Sequence, residues 1–281
     1  MCAVRTPAPP LSQAPETPSV DGTNEPTEPS ERAERDYVMA LEKGLAIIEA
    51  FDQLRGAATL TQLAEVTGHT KASVRRSLHT LCHLGYATQD GRQFQLAARA
   101  LRLGSAFVVS DPLTRLAQPI LETTAERTRE SASIALLDSQ DAVFVARATH
   151  RRSLSVGLGV GARLPAYASA TGRVLLGGQP RDWVRFMLNR MGRPALTAHT
   201  ITTVPKVMQQ IEQAQRQGYA LCDQEIEIGQ RSIAVPILDR RGRTVAAMSL
   251  SVATGRMDIP AILDKLLPEL ERAKQKFRAL L

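Results

Sequence analysis

Apolar residues begin to recur at helical spacing near position 38. Val38, Leu41, Leu45, Ile48 and Phe51 fall three and four residues apart, which predicts an amphipathic helix with one buried stripe. "TLTQLAEVTG" predicts a short second helix, with Thr61 as N-cap, Leu63, Ala64 and Val66 facing inward, and Gly68 ending it. Thr70 then caps a third helix over residues 71–84, whose inner face is Val74, Leu78 and Leu81 and which Gly85 closes. The period next shortens to two. "YATQDGRQFQL" predicts two short strands around Asp90-Gly91, a strong hairpin signal. Helix, helix–turn–helix and hairpin, in that order, predict a winged helix–turn–helix module over residues 36–96.

Helical spacing returns over residues 96–129, with a break at Asp111-Pro112, where Pro112 suits the first turn of a new helix. Residues 97–111 then form a linker helix, and residues 112–281 a second domain. Within it, "SASIALLD" and "AVFVARAT" predict strands joined by "SQD", and "SLSVGLGVG" is a third strand candidate. Helices are predicted over "YASATGRVLLGG", "RDWVRFMLNRM" and "VPKVMQQIEQAQRQG", and strands over "YALCD", "RSIAVPILD" and "TVAAMSLSVA". A long amphipathic helix, "IPAILDKLLPELERAKQKFRALL", closes the chain. Strands mixed with helices outside a regular βαβ alternation predict an α+β sensor domain.

Charge sharpens this picture. The 281 residues carry +7. Residues 1–35, rich in Pro, Ser, Thr and Glu, hold three Arg against six acids and read as a disordered tail of charge −3. The remainder therefore carries +10, which favours an anionic partner. Three scattered cysteines give no disulfide framework and no zinc spacing, and no window has the length of a signal peptide core or a membrane span. A cytoplasmic protein with no membrane association, no metal and no cofactor is expected.

The third helix concentrates the positive charge. Lys71, Arg75 and His79 form one stripe beside the buried one, Arg76, Thr80 and His83 form the next, and no acid occurs between Val66 and Gln89. A solvated helix mixes signs, because Glu–Lys pairs one turn apart stabilise it. This one needs an anion, and a DNA major groove supplies it. Thr70, Lys71, Ser73, Arg75, Arg76 and His79 are assigned to the DNA face, and Arg92, at the hairpin tip, to backbone or minor groove. His79 and His83 lie one turn apart, yet without a third ligand they read as solvated or phosphate-facing.

"LEKGLAIIEAF", "LTQLAEVTGHTKASVRRSLHTLCHLGYATQDGRQFQL", "GARLPAYASATGRVLLG", "GYALCDQEIEIGQRSIAVPILDRRG" and "VAAMSLSV" together resemble the IclR-type transcriptional regulators over residues 36–280. "VFVARATHRRSLSVGLGVGARLPAYASATGRVLL" is similar to the branch that senses aromatic acids such as protocatechuate and p-hydroxybenzoate. The resemblance implies a GAF-like effector domain at the C-terminus, a linker helix used in dimerisation, homodimers that become homotetramers on operator DNA, and control of a catabolic operon by a small carboxylate. It places effector contacts at Leu164, Ala170, Thr171, Cys222, Ser232, Ser249 and Ser251, with Cys222 standing where some members carry an acid.

The residues themselves are compatible with such a site. Ser249 and Ser251 alternate along a strand and share one face. Ser169, Ala170 and Thr171 precede a helix whose N-terminus favours a carboxylate. Arg147 or Arg231 would supply a cation, unless each is spent on a surface salt bridge. The Gly157, Gly159 and Gly161 run lacks the lysine and the strand-to-helix context of a phosphate loop. Asp223, Glu225 and Glu227 read as a solvated loop rather than a metal or acid–base site. No catalytic residues are assigned, since no hydrolase elbow, zincin motif or Walker loop occurs. An enzyme fused to a nucleic-acid-binding module and a nonspecific nucleic-acid coater are the competing functions.

Overall fold

The computed structural model describes residues 37–54, 56–150 and 159–280. The tail and most of the "SLSVGLGVG" strand candidate, Gly157 included, lie outside the described residues. The chain parts into two compact units at Ser105/Ala106.

The first unit contains helices α1 (Met39–Leu54), α2 (Leu60–Thr67) and α3 (Lys71–His83), and strands β1 (Ala58–Thr59), β2 (Ala87–Asp90) and β3 (Gln93–Leu96). Ile47, Phe51, Leu63, Val74, Leu78, Leu81 and Phe94 form its core. In α1 the buried residues are Ile47, Ala50 and Phe51, whereas Val38, Leu41 and Leu45 from the expected stripe are exposed. The domain behind this helix covers only its C-terminal half. Helix α2 starts earlier than expected. Thr59, not Thr61, is the N-cap, accepting from Gln62 N while the Gln62 side chain accepts from Thr59 N, a reciprocal capping box. The hairpin pairs Asp90 with Gln93, so the turn is Gly91-Arg92, one residue beyond Asp90-Gly91. Gly91 takes φ 55°, the left-handed conformation such a turn needs. The two-residue strand β1, absent from the sequence pattern, completes a three-stranded wing in the order β1-β3-β2.

Helix α4 (Leu101–Ser110) follows and spans the division between the units; none of its residues is buried. Asp111 caps α5 (Pro112–Thr128), with Pro112 in the first turn as expected. The second unit is built on a six-stranded antiparallel sheet of β4 (Ser131–Asp138), β5 (Asp141–Ala148), β6 (Arg163–Pro165), β7 (Ala220–Asp223), β8 (Gln230–Leu238) and β9 (Thr244–Ala253), in the order β6-β5-β4-β9-β8-β7. Its helices are α6 (Ala170–Gly177), α7 (Arg181–Arg190), α8 (Val204–Gln217), α9 (Ile259–Lys265) and α10 (Leu267–Leu280).

Strand alternation divides the sheet into two unlike faces. Ile233, Val235, Ile237, Met248, Leu250 and Val252 point to one side, where they pack with α5 and α10 through Ile120, Leu121, Leu270 and Phe277. Ala234, Ala247, Ala135 and Ala220 point to the other, beneath α6. Small residues on that face let the helix come close. Tyr167 and Ala168 form a turn rather than the first residues of the helix, which begins after the Ser169 cap. The long terminal helix is also interrupted at Leu266, because Pro268 has no N–H to donate to the carbonyl one turn back.

Gly172 marks the tightest approach. A Cβ built there would lie 2.2 Å from Ala166 Cα and 2.3 Å from its carbonyl oxygen. These are backbone atoms, which cannot rotate away. Gly172→Ala is therefore expected to cost at least the ~1–3 kcal/mol of an overpacked core, measured as a lowered midpoint in denaturant unfolding.

Candidate functional site

Two surfaces carry the chemistry, one in each unit. Thr70 caps α3 in extended conformation and its hydroxyl accepts from Ser73 N at 3.3 Å. Lys71, Arg75, Arg76 and His79 are exposed on the helix, and Arg92 is exposed at the wing tip. Among the described residues none of the four cations Lys71, Arg75, Arg76 and Arg92 enters an ion pair. Their charge is left to the solvent. Ser73 departs from the expectation. It is 8% exposed, turned toward the core beside Val74, because it falls on the inner edge of the helix, adjacent to the Val74 stripe.

In the second unit, the small-residue face of the sheet continues past α6 into a cavity. Leu164, Thr171, Cys222, Ser232, Ser249, Ser251, Arg147 and Arg231 all line it. Ala170 does not; it is buried under the first turn of α6, packed in the alanine layer. The register explains the gathering. Arg147 is opposite Ser133, Ser133 opposite Ser249, Ser251 opposite Ser232, and Ser232 opposite Cys222. Side chains in register on an antiparallel sheet sit about 4.5–5.5 Å apart, so a polar row crosses five strands. Ser169, read from the sequence as part of a carboxylate-favouring helix start, lines the cavity too, and Ser133, Phe144 and Glu225 also line it and were missed. Ser133 carries the same signal as Ser249, a small hydroxyl within an apolar strand.

The Thr171 hydroxyl is buried, with no hydrogen-bond partner among the described residues. A buried polar atom without a partner is costly, and this one lies on the cavity wall. Burial lowers the Arg147 guanidinium below the ordinary arginine range. Its Nη1 donates to Ser133 Oγ at 3.5 Å, its Nε to Thr149 Oγ1 at 3.4 Å, and it lies 5.9 Å from the Phe144 ring centroid. Arg231 is committed elsewhere, since its Nε donates to Asp223 Oδ1 at 2.7 Å. Both guanidinia line the cavity, and Arg231 is held there by an acid.

Glu225 is not part of a solvated loop. It is buried at 5% and takes two hydrogen bonds from Arg173, at 2.6 and 2.7 Å, and a third from Ile201 N at 3.0 Å. Arg173, 1% exposed, also donates to the Tyr167 carbonyl. Asp223 pairs with Arg231 instead, so these two acids go to different partners, and Glu227 lines the cavity. Burial pushes the Cys222 thiol up to about 12, with Arg173 opposing and Glu225 adding to the rise. Cys222 is accordingly a neutral, packed thiol.

A larger hollow of 280 Å³ follows the outer edge of β7, but its glutamines and aliphatic side chains offer no free charge, since Arg173 there is spent on Glu225. No helix among the described residues is long and apolar enough to cross a membrane.

Residues 105–278 match the family model "Bacterial transcriptional regulator IclR C-terminal", and residues 40–91 match "IclR helix-turn-helix domain". The chain belongs to the IclR family. It is a helix–turn–helix transcriptional regulator with an α+β effector-domain fold. It is 40% identical over 241 residues to the Pca regulon regulatory protein of Pseudomonas putida, covering 85% of this chain and 83% of the relative. A solved transcriptional regulator, RHA06195 from Rhodococcus sp. RHA1, superposes with a TM-score of 0.74 at 38% identity, over 86% of this chain and 98% of that one. The second unit is similar to the PobR inducer-binding domain from Acinetobacter, a double mutant solved with 3-hydroxybenzoic acid. There the TM-score is 0.57 at 32% identity, over 59% of this chain and 98% of that one.

In this IclR-family chain the Arg173–Glu225 pair ties the start of α6 to the segment after β7. Removing one partner of a buried ion pair strands the other charge. Glu225→Gln is expected to cost ~3–5 kcal/mol, read by denaturant unfolding of the full chain, with Arg173→Gln giving a similar loss.

Proposed function

We propose that this regulator controls a catabolic operon by binding operator DNA through α3 and the wing, and a small aromatic carboxylate of the hydroxybenzoate class in the sheet cavity. The observation that carries the effector half is the gathering of eight separately assigned residues around one cavity with an unsatisfied Thr171 hydroxyl. Arg147 takes the carboxylate, Phe144 and Leu164 flank the ring, and Thr171, Ser232, Ser249 and Ser251 supply hydrogen bonds to ring substituents. The acid bound by the PobR domain has this chemistry.

On the DNA side, Lys71, Arg75, Arg76 and His79 face the major groove, Thr70 and Arg92 the backbone. Ser73 is left out, since it is buried. Both α4 and the start of α1 support a homodimer, and through it a tetramer on DNA. Leu101 is 76% exposed and Val109 66% exposed, with Leu103 and Phe107 between them, an apolar helix that a second copy would cover. Two copies would present two recognition helices to a two-fold operator. The regulator would work in the bacterial cytoplasm, alongside the chromosome.

Two tests follow. Arg75→Ala and Arg76→Ala should each weaken binding to a selected operator fragment by ~1–3 kcal/mol, and Lys71→Ala should lower the salt slope by about one; fluorescence anisotropy over a salt series measures both. Wild-type affinity in all three would refute the DNA face. Arg147→Gln should weaken 3- or 4-hydroxybenzoate binding by about tenfold or more, the worth of one charge-assisted contact. The matching hydroxybenzyl alcohols, which lack the carboxylate, should bind both proteins alike in calorimetry.

A further inference from the structure

One loop touches both the cavity and the end of α5. Arg231, in the cavity wall, gives its Nε to Asp223 and its Nη1 to the carbonyl of Met257 at 2.9 Å and of Thr254 at 3.5 Å. The loop between those carbonyls is itself braced. Thr254 N donates to Gly229 O at 2.8 Å and Arg256 N to Ala253 O at 2.9 Å. Arg256, held between them, reaches out of the loop to Glu130, with Nη2 3.3 Å from Oε1. Glu130 follows Arg129, the left-handed residue that ends α5, and its side chain is 2% exposed. That Oε1 is buried without a hydrogen bond of good geometry, so the pair is made by charge and proximity alone.

We propose that residues 254–257 couple the cavity to α5, with Arg231 as the cavity-side grip and the Arg256–Glu130 pair as the helix-side grip. The inference rests on the effector reading given above. Its physical basis is space and charge. The cavity holds 60 Å³, well under the roughly 300 Å³ at the lower end of ligand pockets. A ring-sized acid held by Arg147 therefore needs the side chains of the cavity wall to shift, and Arg231, whose guanidinium holds the two loop carbonyls, is part of that wall. A braced loop moves as a piece, so loss of grip at Arg231 shifts Arg256 and releases Glu130. Helix α5 continues in the chain from α4 through Asp111, the direction of the DNA-binding unit. Arg256 and Glu130 are positioning residues. They touch no ligand.

Two measurements on the full chain test this. The first needs no effector. Arg231→Lys keeps the charge but loses the planar fork that reaches the Asp223 carboxylate through Nε and the two loop carbonyls through Nη1. Hydrogen exchange should quicken at amides 124–131 in this variant and in Arg256→Gln, while amides 270–277 in α10 stay as protected as in wild type. Unchanged exchange at 124–131 in Arg231→Lys overturns the proposal.

The second uses 4-hydroxybenzoate and 3-hydroxybenzoate as probes. Glu130→Gln and Arg256→Gln should bind them in calorimetry as wild type does. The effector-dependent ratio of operator affinities, typically about 5- to 150-fold in coupled systems, should fall toward unity, and Arg256→Lys should restore part of it. Variants that bind the acid and keep the full ratio also overturn the proposal. If wild type binds neither acid, the effector reading fails, and the exchange experiment alone decides the coupling.

Discussion

The close approach of α6 to the sheet governs the second unit. Gly172 against the backbone of Ala166, in the turn that leads into α6, leaves no room for a methyl group, and the strand positions facing the helix are alanine. The same strands carry isoleucine, valine and methionine on their other face. One sheet thus supports a thick aliphatic layer on one side and a thin one on the other. Where the thin layer extends beyond the short helix, small side chains leave empty space, and serines at those positions turn it into a polar cavity. The cavity is a by-product of how closely the helix packs.

Close packing also forces a solution for charge. Arg173 lies in α6 and cannot reach water, and desolvating a guanidinium costs several kcal/mol unless its donors are matched. Glu225 matches two of them and the Tyr167 carbonyl a third. The pair adds rigidity to two walls of the cavity rather than chemistry within it. The recognition helix is the converse case. Its cations face solvent and have no acid partners among the described residues, so their Coulomb energy is available to an external polyanion. Charge is neutralised where the protein must stay folded and left open where it must bind.

Much of this was legible in the residues. Val74, Leu78 and Leu81 anchor a helix whose other stripes are basic, a pattern written within one short segment, and the helix, its Thr70 cap and its cation face all follow from it. Ser249 and Ser251 were legible for the same reason, since strand alternation is local. What escaped depends on distant partners. Strand β1 has two residues and exists only because β3 runs beside it. Glu225 sits in an acidic stretch that looks solvated, and its burial is set by Arg173, 52 residues away. Ser73 was missed because its burial is set by what packs against the first turn of the helix, which spacing along the chain does not show.

The 60 Å³ volume of the cavity bears on how a ligand would be admitted. A protein that is mostly shut against its ligand reports an affinity lowered by the fraction of time it is open, so one open about 1% of the time binds about a hundredfold more weakly than its contacts allow. A site that must open to admit its ligand sets a threshold. Low concentrations of a ligand would leave the population almost unchanged, and only accumulation would shift it. Its setting would then depend on how readily the alanine and serine floor yields, a property of packing as much as of recognition.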